Sequence, residues 1–235
     1  MPLPGRAVSA VTSPARSSHD EVAVLASGGL DSAVLVAEFL RQGRVTHPVY
    51  VRFGLAWEPV EEAHLRRFLD TLTKPAARPL VVLNSPIADV YGSHWSVSRQ
   101  EVPDERSADD AVYLPGRNLL LLAMPSVWCA LHDVHTVALG TLKGNPFPDA
   151  TAEFFDGFAS LAQRAMGHAL EVVTPFAALT KSDVLELGRG LALEHTFSCI
   201  DPKGEGHCGR CNKCAERRHA FSALQIEDLT DYAQR

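Results

Sequence analysis

From residue 21 onward the apolar positions alternate between short unbroken runs and stretches at helical spacing. Residues 22–26 form a continuous apolar run, as a strand covered on both faces requires. Residues 33–40 carry helix formers at helical spacing and end near Gly43, a residue suited to a helix C-terminus. The same texture predicts a second strand at 47–53, a helix at 59–72 that carries Val60, Ala63, Phe68 and Leu72, and a third strand at 79–83. Residues 84–113 are polar and broken by Pro86, Gly92 and Pro103, which predicts a loop with short helical pieces, of the kind that often covers a site. A buried helix at 118–131, a buried strand at 134–139 and an amphipathic helix at 153–166 follow. The alternation of strand and helix predicts an α/β fold, a doubly wound parallel sheet joined by right-handed crossovers. Residues 1–19, rich in Ala, Ser, Pro and Arg without periodicity, read as a flexible leader. The α/β domain is expected over 20–195 and a small C-terminal segment over 196–235.

Composition narrows the function classes. With 235 residues and 46% hydrophobic content the chain can bury one main core. No run approaches the roughly eighteen apolar residues of a membrane helix, and the first twenty residues lack the apolar region of a signal peptide, so a cytoplasmic protein with no membrane partner is expected. A net charge of -6 gives no general attraction to polyanions. A small-molecule substrate is therefore expected in preference to nucleic acid.

Between the first strand and the first helix stands Ser27-Gly28-Gly29-Leu30-Asp31-Ser32. Two glycines at a strand-to-helix turn leave backbone N–H groups free to converge on an anion in front of the helix dipole. No Walker A string is present, because no Lys follows Gly29. Ser27 and Ser32 can donate hydroxyls to phosphate oxygens, and Asp31 can help to hold Mg2+.

Of five cysteines, Cys129 stands alone in an apolar helical stretch and reads as a core residue. Cys199, Cys208, Cys211 and Cys214 fall within sixteen residues. Pro202, Gly204 and Gly206 between them allow the chain to turn back, and four thiolates suit a closed, structural tetrahedral Zn2+. An iron–sulfur cluster uses the same ligands. Arg210, Lys213, Arg217 and Arg218 are expected to offset the charge of the centre.

The glycine loop resembles the SGGxDS signature of the PP-loop ATP pyrophosphatases at all five fixed positions. Taken with Pro115-Gly116-Arg117-Asn118, Pro148-Asp149, Glu153-Phe154, Thr180-Lys181 and the run from Ser198-Cys199 to Cys208-Gly209-Arg210-Cys211-Asn212-Lys213-Cys214-Ala215-Glu216-Arg217, the chain is similar to the 7-cyano-7-deazaguanine synthases over about 21–221. The resemblance implies an adenine nucleotide alpha hydrolase-like fold and an ATP-dependent C–N ligase of queuosine precursor biosynthesis. In that reaction the carboxylate of 7-carboxy-7-deazaguanine, a deazapurine-type acid, is adenylated, converted with ammonia to an amide, and dehydrated to the nitrile. ATP would lie on Ala26, Ser27, Gly28, Gly29, Leu30, Asp31, Ser32 and Ala33. Asp31, Ser32, Lys181 and Arg117 would be catalytic, Asp149, Glu153 and Asn118 would bind substrate, and ATP, Mg2+ and Zn2+ would be the cofactors of a homodimer. For Asp149 a helix-capping role is an equally good reading.

Two stretches depart from the family pattern. Ala150 and Thr151 stand where it has Cys-Arg, and Arg52-Phe53-Gly54-Leu55 stands where it has Asp-Tyr-Gly-Gln. A paralogue that adenylates a different small acid is the alternative they raise. A tRNA-modifying PP-loop enzyme would need a basic surface and commonly a cysteine near Asp31, and a non-catalytic zinc module would not need an intact phosphate loop.

Overall fold

The computed structural model describes residues 20–72 and 74–233, and the leader expected over 1–19 lies outside them. The elements are β1 (Glu21–Leu25), α1 (Leu30–Arg41), β2 (Val45–Arg52), α2 (Glu58–Thr71), β3 (Val81–Asn84), the short helices α3 (Ala88–Tyr91) and α4 (Trp95–Ser98), α5 (Arg117–Leu131), β4 (Thr136–Ala138), α6 (Ala152–Met166), β5 (Glu171–Val173), α7 (Lys181–Leu187) and α8 (Asn212–Ala223). Every paired strand is parallel, in the order β3-β2-β1-β4-β5. The doubly wound sheet expected from the alternation is what forms. The chain leaves β1 in one direction through β2 and β3 and returns on its other side as β4 and β5. Their carboxyl ends diverge there and open a crevice.

Alternation along β1 builds a core on each face of the sheet. Val22 and Val24 pack with Val34 and Leu35 of α1 and Val184 and Leu185 of α7. Ala23 and Leu25 pack with Leu122 and Cys129 of α5 and Phe155 of α6. Cys129 is fully buried, and burial pushes its thiol up to about 12. A third cluster joins the four other cysteines to Val51, Phe53, Trp57 and Phe197, so the C-terminal segment packs on the end of β2.

One local reading shifts, and two strands carry features the apolar pattern does not show. Helix α1 begins at Leu30, three residues before the apolar spacing indicates, and this puts Asp31 and Ser32 in its first turn. Strand β2 runs through Pro48. Thr46, two residues earlier and on the same side, exchanges bonds with Ala76 and Arg78, so the missing N–H of Pro48 faces the level just before β3 begins at Val81. Strand β5, with three residues, is too short to show a period of its own. Among the described residues no helix is long and apolar enough to cross a membrane.

Candidate functional site

The glycine loop sits at the carboxyl end of β1, and its first glycine is required by space as well as by dihedral angle. Gly28 has φ of +81°, and a β-carbon there would stand 3.1 Å from the Glu61 carbonyl oxygen and 3.2 Å from Leu65 Cβ. Phe197 N donates to Gly28 O at 2.7 Å and ties the C-terminal segment to the loop. Gly140, just beyond β4, lies so close that its β-carbon would meet the Asp31 backbone at 3.2 Å. No side chain caps the N-terminus of α1. Its first-turn N–H groups and positive dipole end are thus arranged for an anionic ligand. Ser32 Oγ donates to Gly29 O at 3.2 Å and lies 3.3 Å from Ser27 Oγ.

Asp31 meets a chain of charges from two distant helices. Thr180 and Asp183 form a reciprocal capping box at the start of α7, which fixes Lys181 as its first residue. Lys181 Nζ donates to Asp31 Oδ2 at 2.6 Å and lies 3.1 Å from Glu216 Oε1, while Lys213 Nζ lies 2.6 Å from Glu216 Oε2. Burial alone would lower the Lys181 ammonium, but Asp31 and Glu216 outweigh it and raise its pKa. Burial likewise opposes the charge on Glu216, and Lys181 and Lys213 outweigh it and hold the carboxyl at about 2. Asp31 Oδ1 is buried and has no hydrogen-bond partner. An unsatisfied carboxylate oxygen beside a phosphate-type loop fits a hard cation such as Mg2+.

A cleft of about 260 Å³ extends from this point across the carboxyl ends of β1, β2 and β4. Arg117, the first residue of α5, lines it and has its Nε buried without a partner. Asn118 N donates to Asp149 Oδ2 and Asn118 Nδ2 to Asp149 O, both at 2.9 Å, so Asp149 caps α5 from across the chain. Asn118 and Asp149 both line the cleft, whereas Glu153 is exposed in the first turn of α6 and does not. Thr151 accepts from Phe154 N and caps α6.

Several cleft residues escape sequence reasoning. Burial pushes the Glu61 carboxyl up to about 8, although the Tyr50 hydroxyl, which donates to it at 2.7 Å, and Arg117 draw it down. Tyr113 and Phe147 stack with ring centroids 5.0 Å apart on the cleft wall. Both belong to loops without periodicity. Lys213 and Glu216 could have been noticed, because they stand three apart on a helix face within the cysteine motif.

The cysteines form a closed centre. All four are buried and their sulfurs lie within 4.8 Å of one another, with 3.9 Å between Cys208 and Cys214 and between Cys199 and Cys211. A tetrahedral Zn2+ with bonds of about 2.3 Å needs sulfurs about 3.8 Å apart, so the set fits zinc. Four backbone N–H groups, from Asp201, Cys208, Arg210 and Cys211, point at the sulfurs. The basic side chains have other partners. Arg217, 1% exposed, binds Thr196, Thr230 and the Leu193 carbonyl oxygen, Arg210 lies near Asp201, Arg218 near Glu105, and Lys213 turns towards Glu216. Backbone amides thus meet the thiolates where cationic side chains were expected.

The family described as "Queuosine biosynthesis protein QueC" matches residues 21–225. The chain belongs to the QueC family. Relatives named 7-cyano-7-deazaguanine synthase span nearly the whole length: that of Solidesulfovibrio magneticus is 30% identical over 89% of this chain and 94% of its own, and that of Thiobacillus denitrificans is 30% identical over 90% and 97%. The relative from Methanothermobacter thermautotrophicus is 28% identical over 88% of this chain and 97% of its own. The QueC match takes in the glycine loop, Arg117, Asp149, Lys181 and all four clustered cysteines.

Proposed function

We propose that this QueC-family chain is an ATP-dependent C–N ligase that converts 7-carboxy-7-deazaguanine and ammonia to 7-cyano-7-deazaguanine, a queuosine precursor. One observation carries the reading: Asp31, in the first turn of an uncapped helix that lines the cleft, has one carboxylate oxygen on Lys181 and the other buried without a partner. The name shared by the relatives supports the acceptor. A substrate carboxylate oxygen attacks the α phosphorus of ATP and displaces pyrophosphate. Ammonia then attacks the acyl carbon, AMP leaves and a proton is lost, giving the amide. The amide oxygen repeats the attack on a second ATP, and loss of AMP and protons forms the nitrile. Gly28, Gly29 and the first turn of α1 hold the phosphates, with Ser27 and Ser32 as hydroxyl donors. Lys181 and Arg117 balance the charge that grows on the phosphates in the transition state. Asp31 would hold Mg2+, which when bound neutralises the departing pyrophosphate. Asp149, Asn118 and the Tyr113–Phe147 pair would receive the base. Zn2+ on Cys199, Cys208, Cys211 and Cys214 is structural, since four thiolates leave no vertex to water.

Glu153 does not line the cleft and Thr151 serves as a cap, which favours keeping a second reading, a different small acid with the same activation chemistry. Mass spectrometry after incubation with Mg2+, ATP, ammonium and 7-carboxy-7-deazaguanine separates the two. Nitrile formation is the expected result. An untouched base with folded, zinc-replete protein would favour the second reading. A homodimer in the cytoplasm suits this function: Met124, Val127 and Leu131 of α5 and Leu161 of α6 are exposed apolar residues available to a second copy, and reduced thiolates suit a reducing compartment. Light scattering on the purified chain tests the dimer.

A further inference from the structure

The end of β4 remote from the cleft carries a second group of ligand-type side chains. Asp133, His135 and His168 each bring one donor atom within 4.8 Å of the other two. Asp133 follows α5 with φ of +56°, a left-handed conformation that Asp tolerates better than most residues. His135 immediately precedes β4, and His168 lies in the turn between α6 and β5. Adjoining elements therefore hold all three in place.

Hydrogen bonding assigns the ring protons. His135 Nδ1 lies 2.8 Å from the Ala169 carbonyl oxygen, and His168 Nε2 lies 2.9 Å from that of Val134. A carbonyl oxygen only accepts, so each of these nitrogens carries a hydrogen, and in a neutral ring the other nitrogen bears the lone pair. In His135 that nitrogen, Nε2, is 3.2 Å from Asp133 Oδ1. Two lone pairs facing one another at this distance repel unless a proton or a cation lies between them. The two imidazoles also stack with centroids 4.3 Å apart. One divalent ion relieves this conflict, with one of the near-parallel rings turning so that both lone pairs meet it, and donation of the remote ring N–H to a backbone carbonyl is the usual arrangement of a ligating histidine.

We propose that Asp133, His135 and His168 form a second metal site, independent of the cysteine centre, for Zn2+ or a neighbouring divalent transition ion. Two imidazoles select against Mg2+ and Ca2+, which seek oxygen. Among the described residues three side chains are placed to ligate, and an ion held by three protein ligands exchanges with solvent far more readily than one closed in by four thiolates.

Equilibrium dialysis of the tag-free, full-length protein against micromolar Zn2+, with the cysteine centre already loaded, tests the site. Two equivalents are expected for the wild type and one for His168→Gln and for Asp133→Asn. Asp133 is largely exposed, so Asp133→Asn is expected to melt as the wild type does without added zinc. With Co2+ as the second equivalent, new absorption is expected without sulfur-to-metal charge transfer. A single equivalent in the wild type, or two in both variants, would overturn the proposal.

Discussion

The two ends of the cleft use their polar groups in opposite ways. At the phosphate end, the α1 N-terminus is uncapped and Asp31 Oδ1 is buried without a partner, so capacity to bind is left over. At the acceptor end, Asp149 and Asn118 bond to each other's backbone, Thr151 caps α6, and Asn145 accepts from Phe147 N. The first end is built to receive charge and the second to hold shape. On the proposed function, Asp149 and Asn118 would meet the base in a geometry that their mutual bonds already fix, beside the Tyr113–Phe147 stack. The zinc helix α8 joins the two functions of the C-terminal segment, because it carries Cys214 together with Lys213 and Glu216, which reach the phosphate end.

The largest effect is expected from breaking that link. Structural zinc contributes on the order of 10 kcal/mol to the folding of small zinc domains, so Cys211→Ser should lose bound zinc, cooperative melting and turnover together. Metal analysis and calorimetry check this, and retained zinc with unchanged melting would refute the closed centre. Asp31→Ala addresses the phosphate end alone: turnover should fall at least about 100-fold while melting is preserved. Full activity in that variant would remove the phosphate-loop assignment.

Asp149 sharpens the contrast at the other end. Asp149→Asn keeps an oxygen to accept from Asn118 N, whereas Asp149→Ala should cost about 1 kcal/mol of stability through the lost cap. In steady-state kinetics Asp149→Asn should raise KM for the acid and leave KM for ATP unchanged; no change in either would reduce Asp149 to scaffold. The pH-dependent effect concerns Glu61. Its carboxyl titrates near 8 in the fold against an ordinary 4.5, so between these values the unfolded chain gives up a proton that the folded chain keeps. The stability it contributes is fully present below about pH 4.5 and is lost as pH rises through about 8. The difference in melting temperature between wild type and Glu61→Gln should therefore shrink across that window, and a flat difference would count against the raised carboxyl.

The parallel, doubly wound sheet was open to prediction because residues 22–26 are a continuous apolar run and strands alternate with helices, whereas the strand order came only from the structure. The start of α1 was placed late because Leu30, Asp31 and Ser32 belong to the loop motif and interrupt the apolar spacing. Strand β5 and helix α8 left little trace, one being three residues long and the other polar on most of its surface.

The sequence by itself determined the groups whose chemistry is contiguous. The six residues from Ser27 to Ser32 carry their own turn and helix start, and the four cysteines carry the spacing that closes around one ion. Only the tertiary structure decided which of the remaining candidates act together. Lys181 reaches Asp31 from 150 residues away, Asp149 closes a helix through Asn118, 31 residues before it, and Glu61 owes its raised carboxyl to burial under the loop. Such roles depend on solvent exclusion and on partners brought in by packing, neither of which is written in the local order of residues.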